Sequence, residues 1–236
     1  MSERPVLNRP EGTGWLVLVG GGEFSFGETM DADQAWIERT PEGRIGFVPA
    51  ASGSVDYGEH LATYLREAFE REVDTIPVYR SRDARRGRNL DRVRECAAIY
   101  LGGGVPDQLL EAVQETPFTE ALLSRLRQGG TVVAIAAAAQ ALGAWARSLF
   151  GGGSIAGLQW LRGGVVEPNF DPEHDHRFRQ LMREPGVRWG LGLPAGSAVL
   201  LGPEGETEVV GVAYLLESPD GELHRLGEED FDGDSM

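Results

Sequence analysis

Thr131-Val132-Val133-Ala134-Ile135-Ala136-Ala137-Ala138-Ala139-Gln140-Ala141-Leu142-Gly143 is the stretch on which the reading of the chain turns. A β-branched apolar run meets a string of the smallest side chains and continues as an Ala-rich helical segment. This is the pattern of a strand turning sharply into a helix, where the backbone is so tight that only small neighbours fit. Turns of this kind present a Ser or Cys nucleophile, and this one offers only methyl groups. Alanine cannot attack a carbonyl. The stretch predicts a hydrolase-type scaffold from which the nucleophile is missing.

Outward from it, the chain alternates strands and helices. Trp15-Leu16-Val17-Leu18-Val19 is a continuous apolar run ending in Gly20-Gly21-Gly22, as a buried strand with a tight turn at its C-terminal end requires. Further strands are expected at 44–48, 75–79 and 97–101, and helices at 30–39, 57–71, 107–113 and 118–127. Such alternation implies right-handed crossovers and a mostly parallel sheet covered on both faces. After Gly151-Gly152-Gly153 the texture changes. The runs 197–201, 208–216 and 222–226, separated by Gly-Pro-Glu-Gly and Ser-Pro-Asp-Gly, read as hairpins added to that sheet. The expected organisation is a loose arm over 1–14, one α/β domain over 15–226 and an acidic disordered tail over 227–236.

Composition excludes several classes. A net charge of −15 argues against nucleic acid or an anionic membrane as partner. All 22 cationic side chains are Arg, so no P-loop lysine, Schiff-base lysine or Ser-Lys dyad is available. No segment has the length of a membrane span, and the N-terminus lacks the basic-then-apolar pattern of a signal peptide. The single cysteine, Cys96, precedes an apolar run and reads as a small buried hydrophobe; with no disulfide to form, a cytoplasmic location is expected.

Two glycine-rich turns follow strands. The first, over 20–27, fails as a dinucleotide fingerprint because Ser25 stands where the third glycine belongs, and no acidic residue closes the next strand. The second, Leu101-Gly102-Gly103-Gly104-Val105-Pro106-Asp107-Gln108-Leu109-Leu110, opens a helix above the carboxyl ends of the strands. Its backbone N–H groups read either as an oxyanion hole or as a plain tight connection.

Together these segments resemble the S51 serine peptidases, the group of α-aspartyl dipeptidase and cyanophycinase, over residues 15–216. Gly102-Gly103-Gly104 with Gln108-Leu109-Leu110 is similar to the family's G-G-G-N-x-x-Q-L-L loop, and the stretch 136–143 to its S-A-G-A-x-x-L-G elbow. Glu167-Pro168-Asn169-Phe170, followed by Arg177, Arg179 and Leu181, resembles the P-H-F segment, and the stretch 190–198 the G-I-G-I-D-E-x-T-A strand. The resemblance implies a three-layer α/β sandwich, flavodoxin-like and shared with class I glutamine amidotransferases, with a mostly parallel central sheet plus C-terminal β-hairpins. It also implies a homodimer.

The departures carry as much information. The resemblance places the family's Ser on Ala136, its elbow Gly on Ala138, its His on Asn169, its loop Asn on Val105 and its late acidic pair on Pro194-Ala195. With both Ser and His replaced, neither nucleophile nor base remains at the matched positions. The crevice is expected to be lined by Glu23, Ser25, Gly103, Gly104, Ala137 and Gln140, a set able to hold a small polar or peptide-like ligand without reacting.

Displaced chemistry has few footholds. Asp171-Pro172-Glu173 reads as a capped helix start. His174 and His176 beside it are possible metal donors, but an H-x-H pair on a helix splays its rings, and neither metal nor cofactor is expected. His174 as a base would need Ser25, Ser148 or Ser154 as nucleophile; Ser148 reads more simply as a polar residue at a helix end. His60 and His224 have no identifiable partners and are expected to be structural. Three functions follow: a non-catalytic binding or protein-interaction module, a hydrolase with a displaced Ser or metal site, or a structural subunit with its crevice filled in.

Overall fold

The computed structural model describes residues 7–227, so the expected tail beyond Gly227 lies outside the described residues. Four buried apolar runs and one short edge strand form a parallel ladder: β1 (Leu16–Val19), β2 (Ile45–Val48), β3 (Val73–Thr75, the edge), β4 (Ala98–Leu101) and β5 (Thr131–Ile135). The helices between them are α1 (Met30–Glu38), α2 (Val55–Phe69), α3 (Gly87–Glu95), α4 (Pro106–Val113) and α5 (Pro117–Arg127), with the short α6 (Ala137–Ala141) after β5. Side chains alternate faces along each strand. Val17, Val19, Phe47, Tyr100, Val133 and Ile135 pack on one face with Trp36 of α1 and Leu61 and Leu65 of α2. Leu16, Leu18, Ile99, Leu101, Val132 and Ala134 pack on the other with Leu109, Phe118 and Leu122 of α4 and α5. Burial of both faces is why these strands read as continuous apolar runs rather than as alternating patterns.

The chain then adds β6 (Trp145–Arg147), β7 (Ser154–Ala156), β8 (Gly164–Pro168), α7 (His176–Leu181), β9 (Trp189–Leu193), β10 (Ala198–Leu201), β11 (Thr207–Val210), β12 (Val212–Leu216) and β13 (His224–Gly227). The central sheet has the order β11-β10-β1-β5-β4-β2-β3, with the β10–β11 hairpin antiparallel on the β1 edge. The expected hairpins do not all join this sheet. The run 208–216 breaks at Gly211, whose φ of 70° turns the chain away, and β12 and β13 form a second sheet of order β13-β12-β9-β8. Ser197 holds that corner, its hydroxyl oxygen accepting from the Val212 amide at 3.2 Å.

Three more expectations are corrected. The third strand occupies 73–75 instead of 75–79, because Pro77 has no N–H to continue the ladder. Helix α3 was not expected at all: its apolar face is only Leu90 and Val93 among five charged residues, so the segment reads as polar despite being amphipathic. The Ala-rich helix is shorter than expected, and the β6–β7 hairpin follows it, so Ser148 sits in a hairpin loop where its hydroxyl donates to Asp107 at 2.6 Å. Of the N-terminal arm, residues 7–14 lie against α5: Leu7 is buried and the Gly14 amide donates to the Leu126 carbonyl at 2.9 Å. No helix among the described residues is long and apolar enough to cross a membrane.

Candidate functional site

The parallel strands deliver their loops to one edge of the sheet, where ligands bind in open α/β folds. At its centre β5 gives way to α6 within a single residue. The Ala136 amide donates to the Val19 carbonyl at 2.9 Å, extending the β5–β1 ladder, while its carbonyl accepts from the Gln140 amide at 3.0 Å and starts the helix. Serving both elements forces φ 51° and ψ −114° on Ala136, a conformation an L-residue rarely adopts and which costs about 1–3 kcal/mol. The expected elbow is there, with a methyl group at its apex.

Above it opens a cavity of about 630 Å³, within the range of small-molecule sites. The β1–α1 loop supplies Glu23, Ser25 and Glu28; the start of α2 supplies Ser54, Asp56, Tyr57 and His60; the β4–α4 turn supplies Gly103 and Gly104. Gly104 is irreplaceable by geometry: at φ 143° a Cβ would lie 2.4 Å from the Ala51 carbonyl oxygen. Gly103 faces Ala136: a Cβ placed on it would lie 3.5 Å from the Ala136 methyl carbon, an ordinary contact. Burial pushes the Tyr57 hydroxyl above its ordinary pKa, against the opposing pull of the Gly103 backbone and Tyr100, so it stays a neutral phenol. Its ring stacks parallel to Phe24 at 5.9 Å.

Asn169 enters from the end of β8. Its amide donates to the Gly20 carbonyl at 2.8 Å, its φ is 48°, and its side-chain oxygen occupies the space that a Cβ on Gly21 would fill, 2.2 Å away. A glycine at 21 is what admits this side chain to the cleft.

Of the residues expected in the crevice, Glu23, Ser25, Gly103 and Gly104 line the cavity together with Ala136 and Asn169. Ala137 and Gln140 do not. Ala137 is buried beneath the turn, and Gln140 is 2% exposed with its amide turned away. That amide donates to Glu167 at 3.3 Å, and its oxygen accepts from the Arg147 amide at 3.2 Å. The Arg147 guanidinium completes the group by pairing with Glu167 at 2.6 Å. Burial raises the Glu167 carboxyl above its usual range, and Arg147 and Arg177 pull it part of the way back. Gln140 therefore braces the elbow from behind.

Asp171 caps a short 3₁₀ turn as expected, accepting from the Glu173 amide at 3.0 Å and lying 2.6 Å from the His174 ring nitrogen. His174 and His176 are absent from the cavity wall, and among the described residues no three His, Cys, Asp or Glu side chains cluster as a metal site would require. His60, expected to be structural, is exposed at the cleft. The first turn of α2, which sequence reasoning did not place in the site, follows the β2 strand and is N-capped by Ser54, whose oxygen accepts from the Tyr57 amide at 3.3 Å.

The architecture is similar to solved structures. A peptidase from an acI-B1 Actinobacterium superposes with a TM-score of 0.69 at 20% identity, over 92% of this chain and 96% of that one. A candidate peptidase E from Listeria monocytogenes EGD-e superposes with a TM-score of 0.62 at 14% identity, over 84% and 98%. A search of curated proteins finds no match. The model of peptidase family S51 matches residues 16–206, and the chain belongs to that family.

Proposed function

We propose that this chain is a non-catalytic member of family S51 that holds a small polar ligand in the cleft above Ala136. The observation that carries the reading is the combination of an open 630 Å³ cavity with a methyl group at the apex of its elbow. Neither Ala136 nor Asn169 offers a nucleophile or a base. The room above them, with the Asn169 amide, Ser25 and the Gly103–Gly104 backbone around it, suits binding by hydrogen bonds. A filled crevice, which a purely structural role predicts, is not what the fold contains.

Purified protein is expected to leave Asp-Xaa dipeptides and β-Asp-Arg polymers uncleaved, and Ala136→Ser alone to bring no turnover, since no imidazole stands at position 169. Hydrolysis by the unmodified chain, lost on substituting a cleft residue, overturns the reading. One observation favours a second reading, a hydrolase of altered mechanism: Ser25 and His60 line the same cavity. Labelling of Ser25 by a serine-directed phosphonate, abolished in His60→Ala, is the result that selects it.

A further inference from the structure

The charge of the cleft wall is one-sided. Glu23, Glu28 and Asp56 bring three carboxylates to it from two separate elements, and among the described residues no arginine lines it. The imbalance is local, because the chain has 22 arginines and uses them elsewhere: Arg39 pairs with Glu208, Arg147 with Glu167 and Arg179 with Asp175. None of the three cleft carboxylates is in an ion pair among the described residues. Glu28 is held in place by accepting from the Glu23 amide at 2.8 Å, which leaves its charge uncompensated. His60, the one imidazole on the wall among the described residues, can supply at most one positive charge against three carboxylates.

A concave wall of one sign raises the local concentration of the opposite charge. The stacked rings of Tyr57 and Phe24 add an aromatic wall of the kind that attracts cations. The elbow end differs: Gly103, Gly104, Ala136 and Asn169 are uncharged and suit a carbonyl or amide. We infer that the cleft takes a small organic molecule of net positive charge, with an ammonium or guanidinium group at the carboxylate end and a neutral polar group toward Ala136. The inference rests on the binding reading above and adds the ligand class to it. It also predicts discrimination against acidic dipeptides, which would bring a carboxylate against three others.

Titration calorimetry on the full chain tests it, with arginine amide and agmatine as cations, glycyl-glycine as the zwitterion and aspartyl-glycine as the anion, and each ligand recovered afterwards for mass analysis. The cations are expected to bind at least about tenfold tighter than aspartyl-glycine. Glu23→Gln and Asp56→Asn should each weaken them by about three- to fivefold. Glu120→Gln on α5 should not, and higher salt should weaken binding by screening. Equal or tighter binding of aspartyl-glycine, or cation binding indifferent to Glu23→Gln and Asp56→Asn, overturns the ligand class while the binding reading stands. Cleavage of a bound cation overturns the non-catalytic reading and keeps the ligand class. Binding of none of the probes overturns both.

Discussion

Replacing Ala136 by glycine should stabilise this protein, although Ala→Gly changes usually do the opposite. The native conformation at 136, φ 51° and ψ −114°, is strained for alanine and open to glycine. Relief of that strain is worth about 1–3 kcal/mol. Against it stand about 0.5–1 kcal/mol for the greater freedom of glycine in the unfolded chain. The loss of a half-buried methyl costs about 0.4 kcal/mol more. The balance is a gain of about 1 kcal/mol, or about 2–4 °C in Tm for a chain of this size. Ala138→Gly is the control. Ala138 is fully buried within α6, so there the substitution costs about 1 kcal/mol of helix propensity and about 0.8 kcal/mol of burial. Calorimetric scans of the two variants should move in opposite directions. Similar losses at both positions would refute the claim that the elbow is strained.

Three further outcomes are expected. Arg147→Met, which strips the buried Glu167 of its partner, should cost about 2–3 kcal/mol in urea unfolding, with Glu167→Gln in the same chain recovering much of it; additive losses would show that the pair is not coupled. Burial raises the Asp33 carboxyl above its ordinary 3.8 despite hydrogen bonds from Thr29, Trp36 and Tyr64. The folded state thus holds that proton more tightly than the unfolded one, and the contribution is fully present below about 3.8 and lost as pH rises through the elevated folded value. The stability difference between wild type and Asp33→Asn should accordingly shrink from pH 4 upward, and growth of that difference would contradict the assignment. Cys96 is buried, with its thiol pushed up to about 11, so a disulfide reagent at pH 8 should react only as fast as the protein unfolds.

How much of this was legible before the fold was seen depends on how each feature is encoded. The central sheet was legible because its strands are buried on both faces and announce themselves as unbroken apolar runs, Leu16–Val19 and Thr131–Ile135 above all. The second sheet was not. Its strand β8 ends in Glu167 and Pro168, β9 carries two glycines among its five residues, and the corner that parts β11 from β12 depends on one positive φ at Gly211. In the site, residues on tight turns were found, because small side chains at a strand end report a backbone constraint directly. Gln140 was misplaced because a polar residue four positions after an elbow looks the same in sequence whether it faces the cleft or the core. Its burial is decided by Arg147 on the next strand and by Glu167 further along the chain, and neither pairing is visible in the local sequence. His60 was undervalued for the mirror-image reason: the amphipathic pattern of α2 marks the buried face but does not say that its first turns rim a cavity.

The strain at Ala136 does not by itself argue that the cleft is in use. Both backbone groups of this residue are committed, the N–H to Val19 and the carbonyl to Gln140, and those two bonds tie the end of β5 to β1 and to the start of α6. Any residue placed between that strand and that helix would be driven to the same φ and ψ, so the frame holds the conformation whether or not a side chain there does chemistry. What the frame does not dictate is the wall above it. Nothing in the sheet or its helices requires three unpaired carboxylates, a stacked pair of rings and an asparagine admitted by Gly21 to meet around 630 Å³ of open space. A cleft with no task could close around larger apolar side chains and gain stability by their burial. The polar lining, more than the turn beneath it, is what supports the proposed binding role of the cleft.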